Sequence, residues 1–185
     1  MTQAEGGGAG PAADTTDLRE GPPIHDDLLA LVPLVGMWGG AGLGIVPETG
    51  DEFRFVQALT FSHDGRPFLV YESHTWLLDD NGAVERAAAR ESGFWRPGRG
   101  PDDVEVVLAL NTGLTLVLTG AAGDAQWSLE TAALAGTPTA KGVDGNRRFY
   151  AVTTSAGGDE LAYAQELARP GEDFRPHLNA RLQRR

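Results

Sequence analysis

Between Gly36 and Gly44 every second residue is glycine except Trp38. Side chains alternate across a strand, so an extended Gly36–Pro47 segment shows one indole and otherwise bare backbone on one face. Its other face, Met37, Gly39, Ala41, Leu43 and Ile45, is small and apolar. Glycine weakens a strand through backbone entropy, so a row of glycines on one face implies close approach by another backbone or a ligand, or a sharp bend. The spacing is not that of a dinucleotide-binding turn, because no glycine follows a G-x-G pair by three positions.

Downstream, stretches of period two alternate with turn signals. Phe53–Phe61 precedes His63-Asp64-Gly65-Arg66-Pro67, Phe68–Leu78 precedes Asp79-Asp80-Asn81-Gly82, and Val84–Trp95 precedes Pro97-Gly98-Arg99-Gly100-Pro101. The rhythm continues through Val104–Leu110, Leu114–Thr119, Gln126–Leu134, Arg147–Thr154, Glu160–Ala168 and Leu178–Leu182. Asp-Gly and Asn-Gly supply the positive φ of tight hairpins. Roughly ten strands joined this way predict an all-β fold, an antiparallel up-and-down barrel whose closure removes exposed edges. Val104, Val106 and Leu108, and likewise Leu114, Leu116 and Leu118, alternate with their neighbours and predict an apolar lumen. Ala87-Ala88-Ala89-Arg90 is locally helix-friendly within its strand.

Residues 1–23 are rich in Gly, Ala, Thr and Pro and read as a disordered tail, leaving 24–185 as one domain. His25–Leu31 reads as a short N-terminal helix, capped by Asp26 and stopped by Pro33, placed to plug one end of a barrel. The net charge of −11 disfavours nucleic acid and anionic membranes as partners. Cysteine is absent, which removes disulfides, thiolate ligands and cysteine nucleophiles. The longest apolar run, Leu28–Trp38, contains Pro33 and is too short to span a bilayer. No basic-then-apolar leader is visible, so the expected location is the cytoplasm.

Four histidines are the first candidates for chemistry. His25 reads as a solvated surface residue and His63 as part of a turn. His74 shares a strand face with Glu72 and Trp76, as a solvent ladder or a pocket wall. His177 follows Pro176 at the start of the last strand, where strict alternation groups it with Asn179 and Arg181, opposite Leu178, Ala180 and Leu182. It therefore points outward unless Pro176 or a bulge turns the strand start. Asp26-Asp27, Asp79-Asp80 and Asp102-Asp103 sit in turns or caps, and Trp38, Trp76, Trp95 and Trp127 read as barrel packing. Neither H-E-x-x-H nor G-x-S-x-G is present.

The glycine stretch resembles the signature G-x-W-x-G-x-G-x-G-x-Y-P of the nitrobindin family, heme-binding β-barrels related in shape to fatty-acid-binding proteins. Gly36, Trp38, Gly40, Gly42, Gly44 and Pro47 match, and Val46 replaces the tyrosine. The likeness continues through Thr60–Pro67, Thr75-Trp76, Glu91-Ser92-Gly93-Phe94-Trp95-Arg96-Pro97, Asn111–Leu114 and Pro176-His177-Leu178. This resemblance implies one heme b per chain, with His177 as axial ligand of ferric iron and catalytic residue, and the motif positions and Lys141 around the cofactor. Ala89 stands where the family often has a histidine near the pocket. The implied activity is isomerisation of peroxynitrite to nitrate together with binding of nitric oxide, and a homodimer stays open. The alternative is a heme-free barrel carrying a small hydrophobic ligand such as a fatty acid. Local bases able to attract an anion are sought at Arg181, Arg184 and Arg185.

Overall fold

The computed structural model describes residues 13–185. The strands among them are β1 (Gly36–Ile45), β2 (Glu52–Ser62), β3 (Leu69–Leu78), β4 (Val84–Pro97), β5 (Asp103–Leu110), β6 (Leu114–Gly123), β7 (Gln126–Gly136), β8 (Gly145–Ser155), β9 (Gly158–Ala168) and β10 (Arg175–Arg184). Each pairs antiparallel with its sequence neighbours, and β1 also pairs with β10, so the ten strands among the described residues close into a barrel. Gly82 and Gly113 carry positive φ at two of the hairpin turns, as the turn signals require.

One end is plugged. A 3-10 helix, Asp26–Leu34, buries Leu28, Leu31 and Leu34 in the core. Fully burying each leucine contributes about 1.5–3 kcal/mol. The cap is His25 rather than Asp26, its Nδ1 accepting from the Asp27 N–H at 3.2 Å. Pro33 lies inside the helix instead of stopping it, and the final turn closes when the Val35 N–H donates to the Val32 carbonyl at 3.1 Å. The last carbonyls of a helix lack internal partners. Here Trp127 Nε1 donates to Ala30 at 3.1 Å, Trp38 Nε1 to Leu34 at 2.8 Å and Arg184 Nη2 to Pro33 at 2.9 Å. Two indoles thus tether the plug to the wall.

Residues 1–12 of the expected tail lie outside the described residues. Beyond them, Thr15 and His63 exchange backbone hydrogen bonds of 2.8 and 3.0 Å. The glycine row is explained by close approach. A methyl group at Gly40 would overlap the Arg181 carbonyl oxygen and sit 2.9 Å from Leu182 Cα. At Gly42 and Gly44 the bare backbone seats the rings of Phe55 and Phe53.

The lumen departs from the apolar expectation. Toward the plug it is apolar and aromatic, with Phe61 against Trp95 at 5.5 Å and Trp95 against Tyr150 at 5.1 Å. Midway along, however, Gln57, Ser73, Thr75, Arg148 and Gln165 are buried. Alternation hid this belt on β8: Arg148 faces inward with Tyr150, while Phe149 is exposed.

Candidate functional site

The end opposite the plug is formed by the starts of β2, β4, β6, β8 and β10 and the ends of β1, β3, β5, β7 and β9. Phe53, Leu77, Leu110, Leu134 and Leu178 are only partly buried there and form an apolar rim over the core. His177 stands on that rim. Pro176 pairs with Glu166 and Leu178 with Gln165, so His177 is the extra residue of a β-bulge. A bulge residue is released from strict alternation, so the outward orientation that alternation alone predicts is not imposed on His177.

His177 Nδ1 lies 2.9 Å from the Ile45 carbonyl on β1. A carbonyl only accepts, so Nδ1 carries the proton and Nε2 the lone pair. Nε2 has no hydrogen-bond partner among the described residues. Burial pushes the imidazole below its ordinary pKa of 6.5, against the Ile45 hydrogen bond and the Glu48 charge. The ring is therefore neutral at pH 7. The Phe53 ring meets it edge-on, centroids 6.4 Å apart. An imidazole fixed by a carbonyl at one nitrogen and free at the other is prepared as a metal ligand.

Charged loops surround this ring. Glu48 Oε1 is held by Arg169 Nη2 at 2.5 Å and by Lys141 Nζ at 3.3 Å, tying three loops of the mouth together. Beside them, the β7–β8 ladder covers only Gln126–Glu130 against Arg147–Ala151. Beyond it the Thr131 hydroxyl bridges Asn146, donating to its carbonyl at 3.0 Å and accepting from its N–H at 2.8 Å.

Of the residues singled out in the sequence, His177, Gly44 and Pro47 gather at the mouth, with Lys141 beside them through Glu48. Gly36 and Trp38 do not join them: Trp38 pairs with Arg184 and is buried under the plug, while Gly44 pairs with Leu178. Gly40 and Gly42 face β10 backbone and the Phe55 ring. The bases sought at the C-terminus are also elsewhere. Arg181 is paired with Glu160, Arg184 with Asp159, and Arg185 donates its N–H to Met37 at the plugged end. His74 is on the outer wall beside Trp76, at 5.8 Å between centroids. His63 is fully buried, not merely a turn residue. Sequence reasoning missed Ile45 and Arg169, neither of which carries a local signal, because their roles depend on loop contacts.

A model described as a THAP4-like, heme-binding β-barrel domain matches residues 27–184. The chain belongs to that family. Among its relatives are a peroxynitrite isomerase of Salinispora tropica, 41% identical over 176 residues, covering 93% of this chain and 87% of the relative. A peroxynitrite isomerase of Streptomyces griseus is 42% identical over 170 residues, covering 90% and 89%. One from Mycobacteroides abscessus is 39% identical over 179 residues, covering 93% and 85%. The crystal structure of Rv2717c from M. tuberculosis superposes with a TM-score of 0.73 at 31% identity, covering 88% of this chain and 99% of that one. The mouth fits the cofactor that the family description names: a neutral nitrogen donor with a free lone pair stands on a rim of apolar side chains, beside two cations that share the Glu48 carboxylate.

Proposed function

We propose that this protein holds one ferric heme b at the open mouth through His177 Nε2 and isomerises peroxynitrite to nitrate. Residues 24–185 form the domain that does so. The observation that carries this reading is the bulge at His177, which presents a neutral imidazole whose other nitrogen is anchored on Ile45. The peroxynitrite isomerases among its relatives support the reaction class. Bound heme supplies an iron with one coordination position left open when a single imidazole holds it.

The chain's own residues supply the rest. Ile45 fixes the ring's tautomer and direction. Phe53, Leu77, Leu110, Leu134 and Leu178 offer apolar contact to a flat macrocycle and exclude water from its inner edge. Lys141 places a positive charge at the rim, where the tetrapyrrole's carboxylates and an anionic substrate both gain from it. Ala89 leaves the opposite wall without a second imidazole, consistent with a position open to nitric oxide as well.

The direct test loads the protein with hemin, mixes it with peroxynitrite by stopped flow and measures nitrate and nitrite. Accelerated decay with nitrate as the product is expected. Decay no faster than with the heme-free protein, or products unchanged from spontaneous decomposition, refutes the assignment.

A further inference from the structure

Below the rim lies a charged pair that makes no hydrogen bond to His177, although the Arg148 charge helps keep that imidazole neutral. Arg148 is 3% exposed and Glu91 12%. Glu91 takes the guanidinium in bidentate fashion, Oε2 from Nη1 at 2.7 Å and Oε1 from Nη2 at 2.8 Å. Arg148 Nε donates to Asn146 Oδ1 at 3.0 Å, and the Tyr71 hydroxyl donates to Glu91 Oε2 at 3.2 Å. Burial opposes both charges. The Arg148 guanidinium nevertheless holds Glu91 below its ordinary range, and Glu91 raises Arg148.

Such a pair is weak evidence for stability, since desolvating two ions cancels most of their attraction. Its chemistry points elsewhere. A guanidinium inside a barrel with an apolar rim is a receptor for planar oxyanions, above all for an acid with an apolar tail, because its fork matches two carboxylate oxygens. The wall around it is polar as well: Gln57 is 8% exposed and donates to Ser73 Oγ at 3.0 Å and Thr75 Oγ1 at 2.9 Å, and Tyr163, 7% exposed, lies beside Gln57.

We infer that Glu91 is a built-in occupant of the Arg148 fork, a carboxylate supplied by the wall itself that excludes apolar acids and small oxyanions from the barrel interior. Binding is then confined to the mouth, and nitrate, a planar oxyanion, is not trapped within. This inference is independent of whether heme binds at His177.

The experiment compares wild type, Glu91→Ala and the double variant Glu91→Ala/Arg148→Met. Melting temperature and calorimetric binding are followed with acetate, butyrate, octanoate and nitrate, against chloride at equal ionic strength. Wild type is expected to respond to none of the four beyond chloride. Glu91→Ala is expected to melt lower and to recover saturably with acids, each added methylene tightening binding about three- to four-fold, from the transfer free energy of a buried CH₂. Nitrate alone restoring it identifies a fork that takes the oxyanion without using the rim, and still supports the inference. The double variant, with its fork removed, should be unresponsive. If Glu91→Ala does not fold alone, it is refolded with octanoate, and folding only with the acid supports the same conclusion. A wild type that takes up octanoate as tightly as the variant, a response retained in the double variant, or a variant that no oxyanion rescues overturns the inference.

Discussion

Two glycines of the same motif, four residues apart, should fail in different ways when each becomes alanine. At Gly40 the added methyl overlaps the Arg181 carbonyl oxygen and approaches Leu182 Cα at 2.9 Å. Both are β10 backbone, so relief requires opening the seam between β1 and β10 that closes the barrel. Overpacking costs about 1–3 kcal/mol, and a backbone obstacle belongs at the upper limit or beyond. For a domain of this size 1 kcal/mol moves Tm by about 2–4 °C, so Gly40→Ala should lower Tm by about 6–12 °C. At Gly44 the nearest obstacle to the methyl is the Phe53 ring, whose Cζ it would overlap, with Cε2 at 2.5 Å and Cε1 at 2.6 Å. That ring is half-buried at the mouth and can swing aside, so about 1 kcal/mol and about 2–4 °C are expected. A displaced Phe53 crowds His177, 6.4 Å away between centroids. Gly44→Ala should therefore lose more hemin affinity than Gly40→Ala while losing less stability. Differential scanning calorimetry and hemin titration measure both quantities. Equal Tm losses, or a Gly40→Ala protein as stable as wild type, would refute the close-approach account of the motif.

The Glu91–Arg148 pair makes stability pH-dependent. Glu91 is held below 4.5 in the fold, so its contribution is present above the unfolded-state value and is lost as pH falls through the lowered folded one. Tm of wild type should drop more steeply in acid than that of Glu91→Met/Arg148→Met, and parallel pH profiles would contradict this. Trp127→Phe removes the donor to the Ala30 carbonyl and leaves it unpaired in the plug. A loss of about 1–2 kcal/mol in urea unfolding is expected, and an unchanged midpoint would show that the tether contributes nothing. Lys141 is 81% exposed, so Lys141→Met should leave Tm unchanged while weakening hemin uptake at low salt. Loss of stability without an effect on uptake would reverse its assigned role.

The barrel was legible because period-two alternation and turn glycines are local signals, and both persist along the chain. The helix was legible in place but not in detail. His25 caps it and Pro33 lies within it, since a 3-10 turn closed by Val32 and Val35 tolerates a missing donor. The glycine row announced close approach without saying what approaches, because β10 lies far away in sequence. His177 was found by resemblance. Its orientation was not readable, because a bulge is a property of two strands and not of Pro176-His177-Leu178 alone. Arg147-Arg148 illustrates the remaining limit: with charge on both faces, alternation does not say which arginine faces the lumen. Only closure, which brings β4 and β8 to opposite sides of one interior, gives Arg148 its partner Glu91.

The most direct test of the heme site replaces the ligand itself. His177→Gly removes the imidazole where the structure leaves room for a free one, with the Ile45 carbonyl still in place to orient it. In a hemin titration, wild type should develop a Soret band of imidazole-ligated ferric heme. His177→Gly should lose that band and regain it when imidazole is added. A band that survives the substitution, unchanged in position and intensity without imidazole, would place the iron on another residue and contradict the assignment.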